Sequence, residues 1–91
     1  MPVIRIARTH HRSRTEMRAQ IESVANELQE KLHAQCHWEG DTAHFARRGA
    51  SGSIKVDDDQ VAIEITLGLA LSPLKSQVEK TVNDRLDRIL A

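Results

Sequence analysis

Ninety-one residues, 40% of them hydrophobic, are enough for one modest core and too apolar for a disordered chain. Thirteen basic residues balance thirteen acidic ones, so no net charge draws the chain to nucleic acid or anionic lipid. The single cysteine, Cys36, excludes an internal disulfide, and no stretch approaches the ~20 apolar residues of a membrane span.

Residues 1–91 read as one α+β domain. The opening, Met1 to Arg5, has no apolar run of signal length, which predicts a cytoplasmic protein. Val3 to Arg8 predicts a short strand with Ile4 and Ile6 inward and Val3, Arg5 and Ala7 outward. Ser13-Arg14-Thr15-Glu16 has the form of a capping box, in which the serine hydroxyl and the glutamate satisfy amide donors reciprocally. Met17, Ile21, Val24, Leu28 and Leu32 follow at spacings of four, three, four and four, which predicts an amphipathic helix from Arg14 to Ala34.

From Cys36 the period becomes two. Cys36 and Trp38 point inward, His37 and Glu39 outward, and Glu39-Gly40-Asp41 turns the chain. Thr42 to Arg47 predicts the next strand, with Ala43 and Phe45 inward. Arg48-Gly49-Ala50-Ser51-Gly52 predicts a second turn whose two glycines can take positive φ. Ser53 to Val56 continues as a strand, and Asp57-Asp58-Asp59 is a third turn.

Gln60 to Leu67 carries the clearest signal in the chain. Val61, Ile63, Ile65 and Leu67 share one strand face; Ala62, Glu64 and Thr66 share the other. That alternation predicts an antiparallel sheet buried on one side only. Ser72-Pro73 then reads as N-cap and first helical residue, followed by an apolar stripe of Leu74, Val78, Val82, Leu86, Ile89 and Leu90.

The predicted order is β-α-β-β-β-β-α: a five-stranded, mainly antiparallel sheet with two helices on one face. Placing the first strand beside the last makes the most apolar strand interior. Five strands at ~4.8 Å span about 24 Å, and two helices about 10 Å wide cover that width. Both apolar stripes are then consumed by the core.

Chemistry is sparse. His33, Cys36 and His37, with His10, His11 and His44 elsewhere, match no zinc spacing, so no metal site is predicted. Cys36 and His37 are adjacent on a strand and point to opposite faces, so they form no nucleophile–base pair. No glycine-rich phosphate loop opens a helix. The sequence predicts no catalytic residue, no cofactor and no enzyme. Single-strand binders stack bases on aromatic rings, and the only large rings, Phe45 and Trp38, fall on the core side; this argues against nucleic acid.

The uncovered sheet face remains. Alternation assigns to it Arg5, His37, Glu39, His44, Ala46, Arg48, Ser53, Lys55, Glu64 and Thr66, with Arg8, Arg12 and Arg14 near one end. The candidate partner-binding residues are Arg5, His37, His44, Arg48, Lys55 and Glu64. Their partner is another protein or a second copy of this chain, as a homodimer.

The order of signposts resembles a known family. Ile4-x-Ile6-x-Arg8-x-His10, Trp38-x-Gly40-Asp41, Phe45-x-Arg47-x-Gly49-x-x-Gly52, Val61-x-Ile63-x-Ile65-x-Leu67-Gly68 and a final helix led by Leu71 and Lys75 resemble the polyhydroxyalkanoic acid system proteins. These small bacterial proteins are also described as granule-associated or granule-regulatory. The resemblance implies a cytoplasmic protein of storage-polyester metabolism, at the granule or controlling its formation, and brings no catalytic residues with it. Granule coating needs exposed apolar area or a free amphipathic helix. Consumption of both stripes therefore favours a non-enzymatic adaptor, acting by contacts with proteins of that system or at the granule surface. The alternatives are a granule-surface binder that opens an amphipathic helix onto the polymer, and a small-ligand module with a pocket under Trp38.

Overall fold

A computed structural model describes residues 3–90. The elements are β1 (Val3–Thr9), α1 (Arg14–Leu32), β2 (Gln35–Glu39), β3 (Thr42–Arg47), β4 (Ala50–Val56), β5 (Gln60–Leu67), a 3-10 helix at Leu69–Leu74, and α2 (Lys75–Leu90). The five strands form one sheet in the order β1-β5-β4-β3-β2, every neighbour antiparallel. β1 does return beside β5, setting Ile4 opposite Ile65 and Ile6 opposite Ile63. The most apolar strand is therefore interior.

Both helices pack on one face. Met17, Ile21, Val24, Ala25, Leu28 and Leu32 of α1 and Val78, Val82, Leu86 and Ile89 of α2 are buried in one cluster with the inward residues of the strands. The predicted stripes are thus spent on the core. Burial of aliphatic side chains, at about 1.5–3 kcal/mol each, is the main driving term for this layer arrangement.

Helix ends are tied by specific groups. The Glu16 N–H donates to Ser13 Oγ at 3.2 Å, so the predicted N-cap forms. α1 ends at Leu32, short of the predicted Ala34, because His33 adopts a left-handed conformation (φ 52°) and the Ala34 N–H donates to the Gln29 carbonyl at 3.1 Å. Arg47 Nη1 donates to the Leu32 carbonyl at 2.7 Å, and Arg12 Nη2 to the Ile89 carbonyl at 2.8 Å. Each guanidinium satisfies a terminal carbonyl and places positive charge at a helix C-terminus.

Two further predicted boundaries move. β4 begins at Ala50 rather than Ser53, and the five-residue turn contracts to Arg48-Gly49. Only Gly49 takes positive φ, at +86°. Gly52 serves the strand instead: it pairs with Phe45 and Ile65, and a Cβ there would lie 2.9 Å from the Glu64 carbonyl oxygen. The second shift concerns Ser72-Pro73. The chain turns earlier, in the 3-10 helix, and α2 starts at Lys75. Leu71 and Leu74, three residues apart and so stacked in a 3-10 turn, pack against the core, while Ser72 Oγ donates to the Leu69 carbonyl at 2.9 Å.

Replacing Gly52 by alanine forces two central strands apart. The expected cost is about 1–3 kcal/mol, read as a lower urea midpoint with an unchanged slope. The same midpoint as the parent chain contradicts the close approach.

Candidate functional site

The face away from the helices is built by strand register. Arg5 lies opposite Glu64, Glu64 opposite Ser53, Ser53 opposite His44, and His44 opposite His37. Four of the six predicted partner-binding residues therefore form a single rung across all five strands, with Ser53 at its centre. Lys55 belongs to the neighbouring rung, which runs Ala7, Ala62, Lys55, Thr42 and Glu39. Arg48 is the exception. It sits in the two-residue β3–β4 turn, off the ladder, because the hairpin is tighter than its two glycines suggested.

The rung is chemically uneven. Arg5 Nε and Glu64 Oε2 stand 3.3 Å apart, with the side chains 75% and 58% exposed. Such a pair orders the two groups more than it stabilises the fold. The His37 and His44 rings stack with centroids 5.3 Å apart and planes 25° from parallel. Glu39 Oε2 lies diagonally 3.7 Å from His44 Nε2, an ion pair when that imidazole is protonated. Lys55 has no ion-pair partner among the described residues.

Small residues hollow the middle of this face. Ala7, Ala62 and Ser53 floor a shallow open depression of about 370 Å³, rimmed by Arg5, Lys55 and Glu64. A second, of about 330 Å³, adjoins it at His44, Ser51, Ser53, Glu64 and Thr66. The arrangement offers a cation, a paired carboxylate and two imidazoles around small side chains. That suits an oriented polar contact with another surface.

The remaining arginines of the N-terminal fifth do not extend the face. Arg8 shares the parity of Ile4 and Ile6, so it reaches under α2, pairing with Asp87 at 2.9 Å and donating to Asn83 Oδ1 at 3.0 Å. Arg14 pairs with Asp41 and Asp58 at 3.4 and 3.2 Å. Arg18 lies 4.3 Å from the Trp38 ring centroid and 3.3 Å from Glu22. Parity along β1 could have placed Arg8. Arg18 and Glu22, four apart on α1, are a local pair that helix spacing marks; nothing in the sequence marks the pairing of Arg14 with Asp41 and Asp58 or of Arg18 with Trp38, which join residues distant in the chain.

Among the described residues no group of three or more His, Cys, Asp or Glu side chains is arranged to hold a metal ion. His10 is 3% exposed and spends both ring nitrogens on the backbone. The Arg12 N–H donates to Nδ1 at 3.2 Å, so Nε2 carries the proton and donates to the Asp57 carbonyl at 2.8 Å. With its own N–H donating to the Asp59 carbonyl at 2.9 Å, His10 latches the end of β1 to the β4–β5 turn. Cys36 lies half-buried on the helix side, where burial pushes its thiol above the ordinary range. No helix among the described residues is long and apolar enough to cross a membrane.

The family model described as "Putative polyhydroxyalkanoic acid system protein" matches residues 4–90, and the chain belongs to that family. No curated protein and no solved structure matches it. The residues that carry the resemblance mostly build the scaffold: Arg8 binds α2, His10 latches a turn, Arg47 caps α1, and Gly49 and Gly52 permit the β3–β4 hairpin. Replacing His10 by alanine removes the side-chain partner of the Asp57 carbonyl and of the Arg12 amide, at about 0.5–1.5 kcal/mol for each bond; a thermal midpoint within a degree or so of the parent contradicts the latch. The raised thiol leaves Cys36 with less thiolate than a free cysteine at pH 8. Alkylation by iodoacetamide should be correspondingly slower and still rising with pH where a model thiol has levelled off.

Proposed function

We propose that this member of the polyhydroxyalkanoic acid system family is a non-enzymatic adaptor that binds a protein partner through its open sheet face. The observation that carries this reading is the division of the surface. The apolar stripes of α1 and α2 lie in the core, and the face opposite them is polar, small-floored and rung-ordered. A surface of that kind discriminates by charge placement more than by apolar area. Partners are sought among the proteins of the polyester system or at the storage-granule surface. Lys55, Arg5 and Glu64 set the charge pattern; His37 and His44 supply a flat stacked surface.

One observation favours a second reading. Leu69 is 84% exposed at the start of the 3-10 helix, beside the end of β5. A lone leucine contributes at most about 1.5–3 kcal/mol when buried, so direct adsorption to polyester through it is weak unless α2 also opens.

Charge reversal of both Arg5 and Lys55 should reduce capture of the partner by tenfold or more, roughly 1.4 kcal/mol, with the far-UV spectrum and unfolding midpoint unchanged. Arg48, off the ladder, serves as the control site and should have little effect. Equal capture by all three proteins removes the face as the site. Purified protein mixed with bare polyester particles should bind weakly and keep its near-UV signal. Tight, salt-insensitive adsorption that is lost on Leu69→Ser supports the polymer-contact reading instead.

A further inference from the structure

β1 and β2 are the outer strands of the sheet, and each pairs on one side only among the described residues. An open edge presents a row of unpaired backbone donors and acceptors, which natural proteins usually blunt with lysine, proline or a bulge. β2, Gln35-Cys36-His37-Trp38-Glu39, has none of these, and its ladder with β3 runs residue for residue without a bulge. Trp38 is only partly buried at this edge, with Arg18 on its ring. A half-covered tryptophan with unpaired backbone beside it is a common anchor of protein interfaces.

We infer that β2 pairs antiparallel with β2 of a second copy, about a two-fold axis at His37, joining the two sheets edge to edge. The strand is self-complementary about that residue. Gln35 meets the partner's Glu39, an amide beside a carboxylate with no like-charge clash. Cys36 meets the partner's Trp38 on the helix side, apolar against apolar. His37 meets the partner's His37, repeating the imidazole stack that His37 already makes with His44 at 5.3 Å.

β1 does not share this property. About its midpoint, Ile6, a two-fold would set the fully buried Ile4 against the partner's Arg8, a guanidinium already committed to Asn83 and Asp87. The helix layer leaves room at β2. α1 touches β2, β3 and β4, so it is centred about three strand spacings, ~14 Å, from its mate. Packed helices need only 8–10 Å or so. In the dimer the rung from Arg5 to His37 continues into its mate, and two open faces lie side by side on one continuous layer. Edge pairing is measured by mass and cross-linking alone, so it stands or falls independently of what the open face binds.

Sedimentation equilibrium of the unmodified chain should show a concentration-dependent species of twice the monomer mass. His37→Glu places like charges across the axis, beside Glu39, and should raise the dimer dissociation constant about tenfold or more; its far-UV spectrum should not change, because His37 is exposed. In a Cys36→Ser background, His37→Cys should cross-link to a dimer with a short bismaleimide, while Ala7→Cys on the β1 edge should not. A monomer at all concentrations overturns the inference. So does a dimer indifferent to His37→Glu, or one that cross-links through Ala7.

Discussion

Burial of a single β layer on one side governs this protein. β5, with Val61, Ile63, Ile65 and Leu67 all facing the helices, lies between β1 and β4, and its alternation fixes which face is dry. A strand slipped by one residue would turn that whole set to water. Every other inward residue follows the same parity, including Arg8, whose guanidinium has to find partners beneath α2. The open face is the remainder of that solution.

The cost of roofing one side is a set of helix ends and loops lying close to the core. Arginines settle much of it. Arg12 and Arg47 satisfy the terminal carbonyls of α2 and α1, and Arg14 ties the start of α1 to Asp41 and Asp58. A planar guanidinium carries several donors in a fixed fork, so one residue can bridge two elements. The crowding of arginines near the N-terminus, which looks in the sequence like a basic patch, is largely internal stitching. Part of the balanced charge is held in pairs such as Arg5–Glu64, Arg8–Asp87 and Lys75–Glu79.

This bears on what family membership conveys. The signposts that identify the family are glycines of tight turns, inward strand residues and side chains that lock elements together. They specify a scaffold, and a scaffold does not by itself carry a function. The open rung, with Ser53 between a paired carboxylate and stacked imidazoles, lies outside most of those signposts. Charge, a small floor and unpaired backbone coincide instead on the open face and its edges.

The sequence alone determined the element types, their order and the dry face. Those depend on periodicity and capping, which are local: two-residue alternation in the strands, a 3.6-residue stripe in the helices, Ser13 at the head of α1. It also placed Arg5, His37, His44, Lys55 and Glu64 on one face, since parity survives folding. Tertiary structure decided what involves residues far apart. The register that lines up Arg5, Glu64, Ser53, His44 and His37 depends on four separate strand pairings. Arg48 left the face and Gly52 joined β4 because the hairpin closed in two residues against β5. The 3-10 turn replaced the Ser72-Pro73 start, and it is this turn that sets Leu71 and Leu74 against the core. His10 became a latch through carbonyls of a turn 47 residues away. Such contacts are chosen by the packed chain as a whole, and a local pattern carries no record of them.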